Sequence, residues 1–375
     1  MSATAPRPTV AFFTRLLDDA SPDDRYRLAL AQIQHAERHG VGRAWVAQHH
    51  FRAAEGGLPS PLVFLAHAAA RTSGIRLGTG IITLPLEDPV RVAEDAVVAD
   101  LLADGRIDLG LGSGGTPSSF APFGEDVRDK GPTYDRKLGV LLDALQGRDV
   151  GAGNTLYPDA GSLASRIWQA TFSAPGGHRA GVHGHGLLLS RTQPRPGDRL
   201  HAPLSALQDP IIDAYLDALP AGETPRITAS RTVFVADDRV EALQFAEVGL
   251  RRAAEGFRRQ GQTITDGRGG DRAHARASRA RSVLIMASTT SMPLVPRPNV
   301  ASSPVSAAMS RLTWVPPAIR TSRSRTPFSM HNWASLRIIC RCTSLWLMIV
   351  LIRIASAPVS TAASTSLPSG TEVPR

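Results

Sequence analysis

In the first 266 residues, short apolar, β-branched runs alternate with longer stretches of helical periodicity. This alternation restricts the fold more than any other feature, because strands separated by helices return to the same sheet edge and pair in parallel. Seven such runs stand at 9–14, 43–48 (RAWVAQ), 75–83 (IRLGTGIIT), 106–112 (RIDLGLG), 166–172 (RIWQATF), 186–190 (GLLLS) and 226–236 (RITASRTVFVA). The intervening stretches carry helix signals. Ser21, Pro22, Asp23 and Asp24 supply an N-cap, a first-turn proline and two acids where the helix dipole favours them. Tyr26, Leu30 and Ile33 then share one face, and Gly40 ends the helix. VRVAEDAVVADLLADG (90–105) and VEALQFAEVGLRRAAEGFRR (240–259) read as two more helices. The pattern predicts an α/β (β/α)8 TIM-type barrel over residues 1–266 that lacks a normal eighth βα unit.

Residues 267–375 read differently. The net charge of +9 belongs to them: they hold 14 arginines against Asp271 and Glu372, whereas residues 1–266 hold 28 basic and 31 acidic side chains. Serine, arginine and proline accumulate, and the segment GRGGDRAHARASRARS has no apolar face. The segment is expected to be an irregular basic tail, either an out-of-frame translation beginning near 267 or a divergent natural extension. Trp314, Trp333 and Trp346 sit poorly in a natural disordered tail and favour the frame error. A product frameshifted in this way would be inactive. Nucleic-acid binding by the arginines is the weaker reading. Both cysteines, Cys340 and Cys342, lie in the tail, so the first 266 residues cannot be a disulfide scaffold.

The amino terminus lacks a charged region followed by a long apolar stretch, and LWLMIVLI (345–352) is too short to span a membrane. A cytoplasmic protein without membrane association is expected. LWLMIVLI is the run that could fill the missing eighth position as a makeshift strand, but no turn or helix pattern around it supports a parallel crossover, so the gap is expected to stay open.

In a barrel of this kind the site forms at the carboxyl ends of the strands. Those positions hold Gln48, His49 and His50; Thr83; Ser113; Thr171 and Ser173; and Ser190, Arg191 and Thr192. His49 and His50 are neighbours on an extended chain and must point to opposite faces, which argues against a paired metal site. His183 and His185 lack accompanying acid or cysteine ligands, so no metal is expected. GLGSGG (110–115) lacks the downstream acid of a dinucleotide fingerprint and reads as a tight turn at the rim.

WVAQHHF (45–51), the pattern L-P-x-x-x-P-V-R-x-A-E-D from Leu84 to Asp95, RIWQATFSAPGGHRAG (166–181) and GLLLSRTQPRP (186–196) occur in an order that resembles the bacterial luciferase-like family of flavin-dependent monooxygenases. The resemblance runs through roughly residues 8–260. It implies reduced FMN as cofactor, supplied by a separate flavin reductase, with O2 and a small organic substrate as co-reactants and a possible homodimer. Some branches use F420 for hydride transfer instead. It assigns the catalytic histidine to His49, preceded here by Gln48 where the family commonly has Glu, so His49 is expected to be more often neutral. It also places the flavin ring near Thr79 and Thr83. The phosphate falls at Ser173, Gly176 and Gly177 before a short helix, with His178 and Arg179 adding positive charge. Where luciferase-type members carry a cysteine and an arginine after the fourth strand, this chain has Gly112 and Ser113, so the resemblance implies either that Arg179 or Arg191 replaces that arginine or that the affinity is weaker. Segments 115–132 and 149–165 are expected to act as lids.

Overall fold

The computed structural model describes residues 9–199, 202–236 and 238–259, with the backbone of 283–287 and 348–353. Its parallel strands are β1 (Thr9–Thr14), β2 (Arg43–Val46), β3 (Arg76–Thr79), β4 (Ile82–Thr83), β5 (Ile107–Gly112), β6 (Ile167–Ala170), β7 (Gly186–Leu189) and β8 (Ile227–Ala236). The predicted third strand is two: β3 and β4 stand either side of the cis Gly80–Ile81 bond, and each pairs with β5. Among the described residues seven α-helices interleave with the strands: α1 (Pro22–Arg38), α2 (Pro61–Ala69), α3 (Pro89–Leu102), α4 (Lys130–Leu145), α5 (Ala174–Val182), α6 (Leu204–Ala218) and α7 (Arg239–Arg259). The sheet is a TIM-type barrel with neighbours in chain order from β1 to β8.

Alternation along the strands creates two cores. Outward residues such as Phe12, Val46, Leu77 and Leu109 pack against helix residues Ile33, Leu65, Val97 and Leu141. Inward residues Ala11, Trp45, Trp168 and Leu188 fill the barrel, with Phe13, Ile81 and Ala170 against them. Trp45 and Trp168 meet edge to face at 5.4 Å. They fit because their neighbours are glycines: a Cβ on Gly78 would lie 2.3 Å from the Trp45 ring, and one on Gly186 would lie 2.2 Å from Trp168. Gly78 thus relieves crowding inside the barrel.

Beneath the indoles, at the amino-terminal end of the strands, Asp108 accepts hydrogen bonds from Arg43 Nε at 2.6 Å and from Arg76 Nη2 at 2.9 Å. The Arg43 and Arg226 guanidiniums lie over Trp168 at 5.2 Å and 5.3 Å. The barrel floor is thus a buried carboxylate among three cations.

The expectation of an open gap is corrected. Strand β10 (Met348–Arg353) lies between β1 and β8, antiparallel to both, from Thr9↔Ile352 to Phe13↔Met348 on one side and from Arg353↔Ile227 to Met348↔Thr232 on the other. An antiparallel strand needs no crossover helix of the kind a parallel strand requires, so the missing βα unit is no obstacle. Strand β9 (Val283–Ala287) pairs in parallel with the upper half of β8, from Thr232 to Ala236. Gly267, where the composition changes, and both cysteines lie outside the described residues. Among the described residues no helix is long and apolar enough to cross a membrane.

Candidate active site

The carboxyl ends of β1, β2, β4 and β7 converge on one polar cluster. Inward positions on β1 are Ala11 and Phe13, and the same alternation brings Arg15 to the mouth just past the strand end. Its backbone carbonyl accepts from Gly57 N–H at 3.1 Å, which ties the β2 loop to the end of β1. The Arg15 guanidinium donates through Nη2 to His49 Nε2 at 3.2 Å and to the carbonyl oxygen of Glu55.

That contact determines the state of His49. A guanidinium only donates, so Nε2 must be the acceptor, and the proton of the neutral ring sits on Nδ1. Burial, reinforced by the Arg15 charge and then by His50, lowers the His49 pKa to about 3. The ring is therefore neutral at pH 7, as expected, but the main causes are desolvation and a cation rather than the lost glutamate. His49 Nδ1 is buried without a hydrogen-bond partner. The ring packs on Gly56, whose Cβ, if present, would lie 2.7 Å from Nδ1. His49 thus offers a proton at Nδ1, and it acts as a base at Nε2 only if Arg15 gives way.

Gln48 is buried and fully bonded: Oε1 accepts the Thr83 N–H at 2.7 Å, and Nε2 donates to Glu87 Oε1 at 2.7 Å and Pro59 O at 3.1 Å. A carboxylate is present near the histidine pair after all, supplied by Glu87 from the loop after β4. His50 turns away from His49, with its ring 4.9 Å from Phe123 and 5.7 Å from Phe51. Phe51 adopts a left-handed backbone at φ 65° and leaves its ring largely exposed.

Segment 115–132 crosses this mouth: Thr116 Oγ1 donates to Glu55 Oε2 at 3.0 Å, Phe123 meets His50, and Lys130 Nζ donates to Gly114 O at 3.2 Å. Segment 149–165 does not. It joins α4 to the start of β6, and Arg166 at its end pairs with Asp100 at 2.7 Å on the barrel floor side. Its expected role as a lid is corrected, because loops that precede strands lie at the opposite face from loops that follow them.

The other expected cofactor residues divide. Thr83 and Ser113 lie at the mouth, and Gly114 at φ +81° fits where a Cβ would lie 2.5 Å from Thr83 Cγ2. The Thr79 hydroxyl donates to Gly110 O and accepts from Gly110 N–H, both at 2.8 Å, so it stitches β3 to β5. Ser173 caps α5, exposed beside Thr171, its Oγ accepting from Gly176 N–H at 3.4 Å. Gly176 packs on the Thr171 side chain and Gly177 on the Ile211 backbone of α6, so both also serve helix packing. His178 is exposed.

Arg179 reaches away from the mouth. It donates to Gln169 Oε1 and Asp135 Oδ1, both at 2.9 Å, and its guanidinium lies 4.7 Å from the Tyr134 ring centre. Arg191 is held in the mouth by its N–H on Ser230 Oγ at 2.8 Å. His185 Nδ1 bonds Gln169 Nε2 at 2.9 Å in the layer outside the barrel, stacked with His183 at 5.2 Å.

Burial also lowers the His185 pKa to about 3. Two histidines that stay neutral in the fold but protonate near 6.5 when unfolded give the unfolded chain more protons between those values. Stability is therefore expected to decrease as the pH falls from about 6.5 towards 3. Urea unfolding at a series of pH values reads this, and His185→Gln should flatten the slope; an unchanged slope would remove His185 as a contributor.

A profile described as luciferase-like monooxygenase matches residues 9–284. The chain is 32% identical over 218 residues to 4-hydroxyprotoasukamycin monooxygenase of Streptomyces nodosus subsp. asukaensis, covering 55% of this chain and 58% of that one. It is 31% identical over 103 residues to the oxygenase component of the flavin-dependent trigonelline monooxygenase of Acinetobacter baylyi, covering 27% of this chain and 28% of that one. The matched segments thus span less than two thirds of either relative. In fold it resembles the oxygenating constituent of 3,6-diketocamphane monooxygenase of Pseudomonas putida, solved with FMN, at a TM-score of 0.55 and 18% identity, covering 69% of this chain and 77% of that one.

Proposed function

Since the chain belongs to the luciferase-like monooxygenase family, we propose that it is a cytoplasmic flavin-dependent monooxygenase that takes reduced FMN from a separate flavin reductase and oxygenates a small organic substrate with O2. The observation that carries this reading is His49: a buried, neutral, cation-anchored histidine at the mouth of a barrel whose strand ends are the catalytic face.

The residues fit such a cofactor. The exposed hydroxyls of Thr171 and Ser173 stand at the start of α5, where helix N–H groups suit a phosphate. Thr83 and Ser113 border the region where the ring would lie, and the buried Nδ1 of His49 lacks a partner. Reduced FMN, when bound, supplies the electrons that activate O2. The protein's share is then to orient, to keep the site dry and to hold protons. His49 presents its Nδ1 proton and keeps its Nε2 on Arg15. Gln48 and Glu87 fix the strand end that carries His49. Phe51, Phe123 and His50 form an apolar rim that limits water at the mouth.

Anaerobic titration of the full chain with FMNH2, followed by mixing with O2, tests the proposal. Saturable binding and O2 consumption are expected. No binding would overturn it, and turnover of reduced F420 without O2 consumption would replace it with hydride transfer on the same barrel.

A further inference from the structure

A phenylalanine ring stabilises a fold chiefly by leaving water. Among the described residues Phe12, Phe64, Phe120 and Phe234 do so. The three exposed ones, Phe51, Phe123 and Phe172, all stand on segments that follow a strand, β2, β5 and β6, and so on the catalytic face of the barrel. Phe51 and Phe123 are 67% and 40% exposed, yet they come together from distant parts of the chain with ring centres 5.8 Å apart. His50 completes a triangle with them at 5.7 Å and 4.9 Å.

Both rings stand on fixed turns. Phe51 is held at φ 65°, a left-handed conformation that is costly for a bulky side chain. Its turn is tied by Arg52 N–H, which donates to His50 O at 2.7 Å, and by Arg25 Nη1, which donates to Ala53 O at 2.9 Å. Phe123 precedes Gly124 at φ 74°, and its N–H donates to Phe120 O at 3.0 Å. The next residue, Glu125, is anchored by Lys137 Nζ at 2.9 Å. Backbone strain therefore holds a ring in water, which packing within the chain does not require.

The pair adjoins His49. Phe51 follows it by two residues, and Thr116, at the start of the segment that carries Phe123, bonds Glu55, whose carbonyl oxygen accepts from the same Arg15 that holds His49. Rings in tilted and edge contact offer faces and edges to a further aromatic ring, and an exposed aromatic patch beside a few polar groups is the composition of a small-molecule site.

We propose that Phe51 and Phe123 seat an aromatic ring of the substrate at the mouth beside His49. The inference names the substrate class of the monooxygenase reading and rests on that reading for the word substrate. The two phenylalanines offer no donor to a flavin, whose polar groups are suited by Thr83, Ser113, Thr171 and Ser173.

The probe is 2-naphthol, whose fluorescence follows its transfer out of water. Saturable binding to the full chain is expected, and Phe51→Asn and Phe123→Ala should each weaken it about three- to tenfold, the worth of one aromatic contact. Asparagine adopts the left-handed backbone readily, so Phe51→Asn should keep or raise the thermal midpoint while losing affinity. A midpoint that falls makes Phe51 a packing residue and overturns the proposal. So does an absence of saturable binding by the parent chain, or binding kept by both variants. Phe123→Ala serves alone if Phe51→Asn does not fold.

Decahydro-2-naphthol has the same carbon skeleton without the aromatic ring, and equal affinity for it overturns the aromatic assignment. FMN titration of the variants identifies the occupant: unchanged affinity supports a substrate ring, and a loss matching that for 2-naphthol assigns the seat to the flavin and overturns the proposal. Failure of the parent chain to bind FMNH2 refutes the monooxygenase reading, while the 2-naphthol result stands on its own.

Discussion

On the proposed monooxygenase function, His49→Ala is expected to lower the rate of substrate oxygenation by about 10²–10⁴-fold, the range for removing a positioned proton-transfer group, with the chain still folded. The backbone N–H of His49 donates to Leu58 O at 2.9 Å, and the ring is held by Arg15 on Nε2 and by the bare face of Gly56. Alanine removes the Nδ1 proton and leaves Arg15 with one fewer acceptor. His49→Gln separates these losses, because its amide oxygen can still accept from Arg15 while its amide transfers no proton at neutral pH. If Gln restores the thermal midpoint but not the rate, His49 acts in proton transfer. If Gln restores both, the histidine merely holds Arg15 and the catalytic assignment fails.

Asp108→Ala is expected to destabilise the barrel by about 3–5 kcal/mol, the cost of breaking a buried ion pair by removing one partner. The Asp108 side chain is 2% exposed and is the counter-charge for Arg43 and Arg76, with Arg226 across the Trp168 ring. Without it, cations crowd two indoles with no anion between them. Urea unfolding of the variant measures the loss, and adding Arg43→Met should recover part of it, since an apolar stem then replaces an uncompensated charge. A single variant within about 0.5 kcal/mol of the parent, the range of an ordinary surface change, would mean that water already solvates the floor.

Much of this architecture was legible because strands and helices differ in period. The seven runs, the Ser21 cap and the helices at 90–105 and 240–259 all appear where the apolar pattern placed them. Helix α2 (PLVFLAHAA) was not legible, since it is apolar on nearly every face and so shows no periodic contrast.

At the site, the split between His49 and His50 followed from strand geometry alone. Arg15 followed from the same rule, because it stands immediately after the first strand, yet only the later strand ends were read that way. Glu55 and Glu87 could not be found so. They reach the mouth through loops whose paths depend on contacts, Glu55 on Thr116 and Glu87 on Gln48. Arg179 shows the converse: its place beside the glycine pair suggested a phosphate, but its helix face directs it to Gln169 and Asp135. LWLMIVLI was set aside as an eighth strand because seven βα repeats call for a parallel one, and its antiparallel direction was not foreseen.

The pairing of Thr9 with Ile352 also fixes the order of events during synthesis. Strand β1 finds one of its two neighbours only after Met348–Arg353 has been made. Until then β1 and the lower half of β8 are bare edges, the part of a sheet that recruits other chains. The nascent protein therefore passes through an interval in which β1 to β8 are made and their seam is open, and lower translation rates or added chaperone are expected to change its yield.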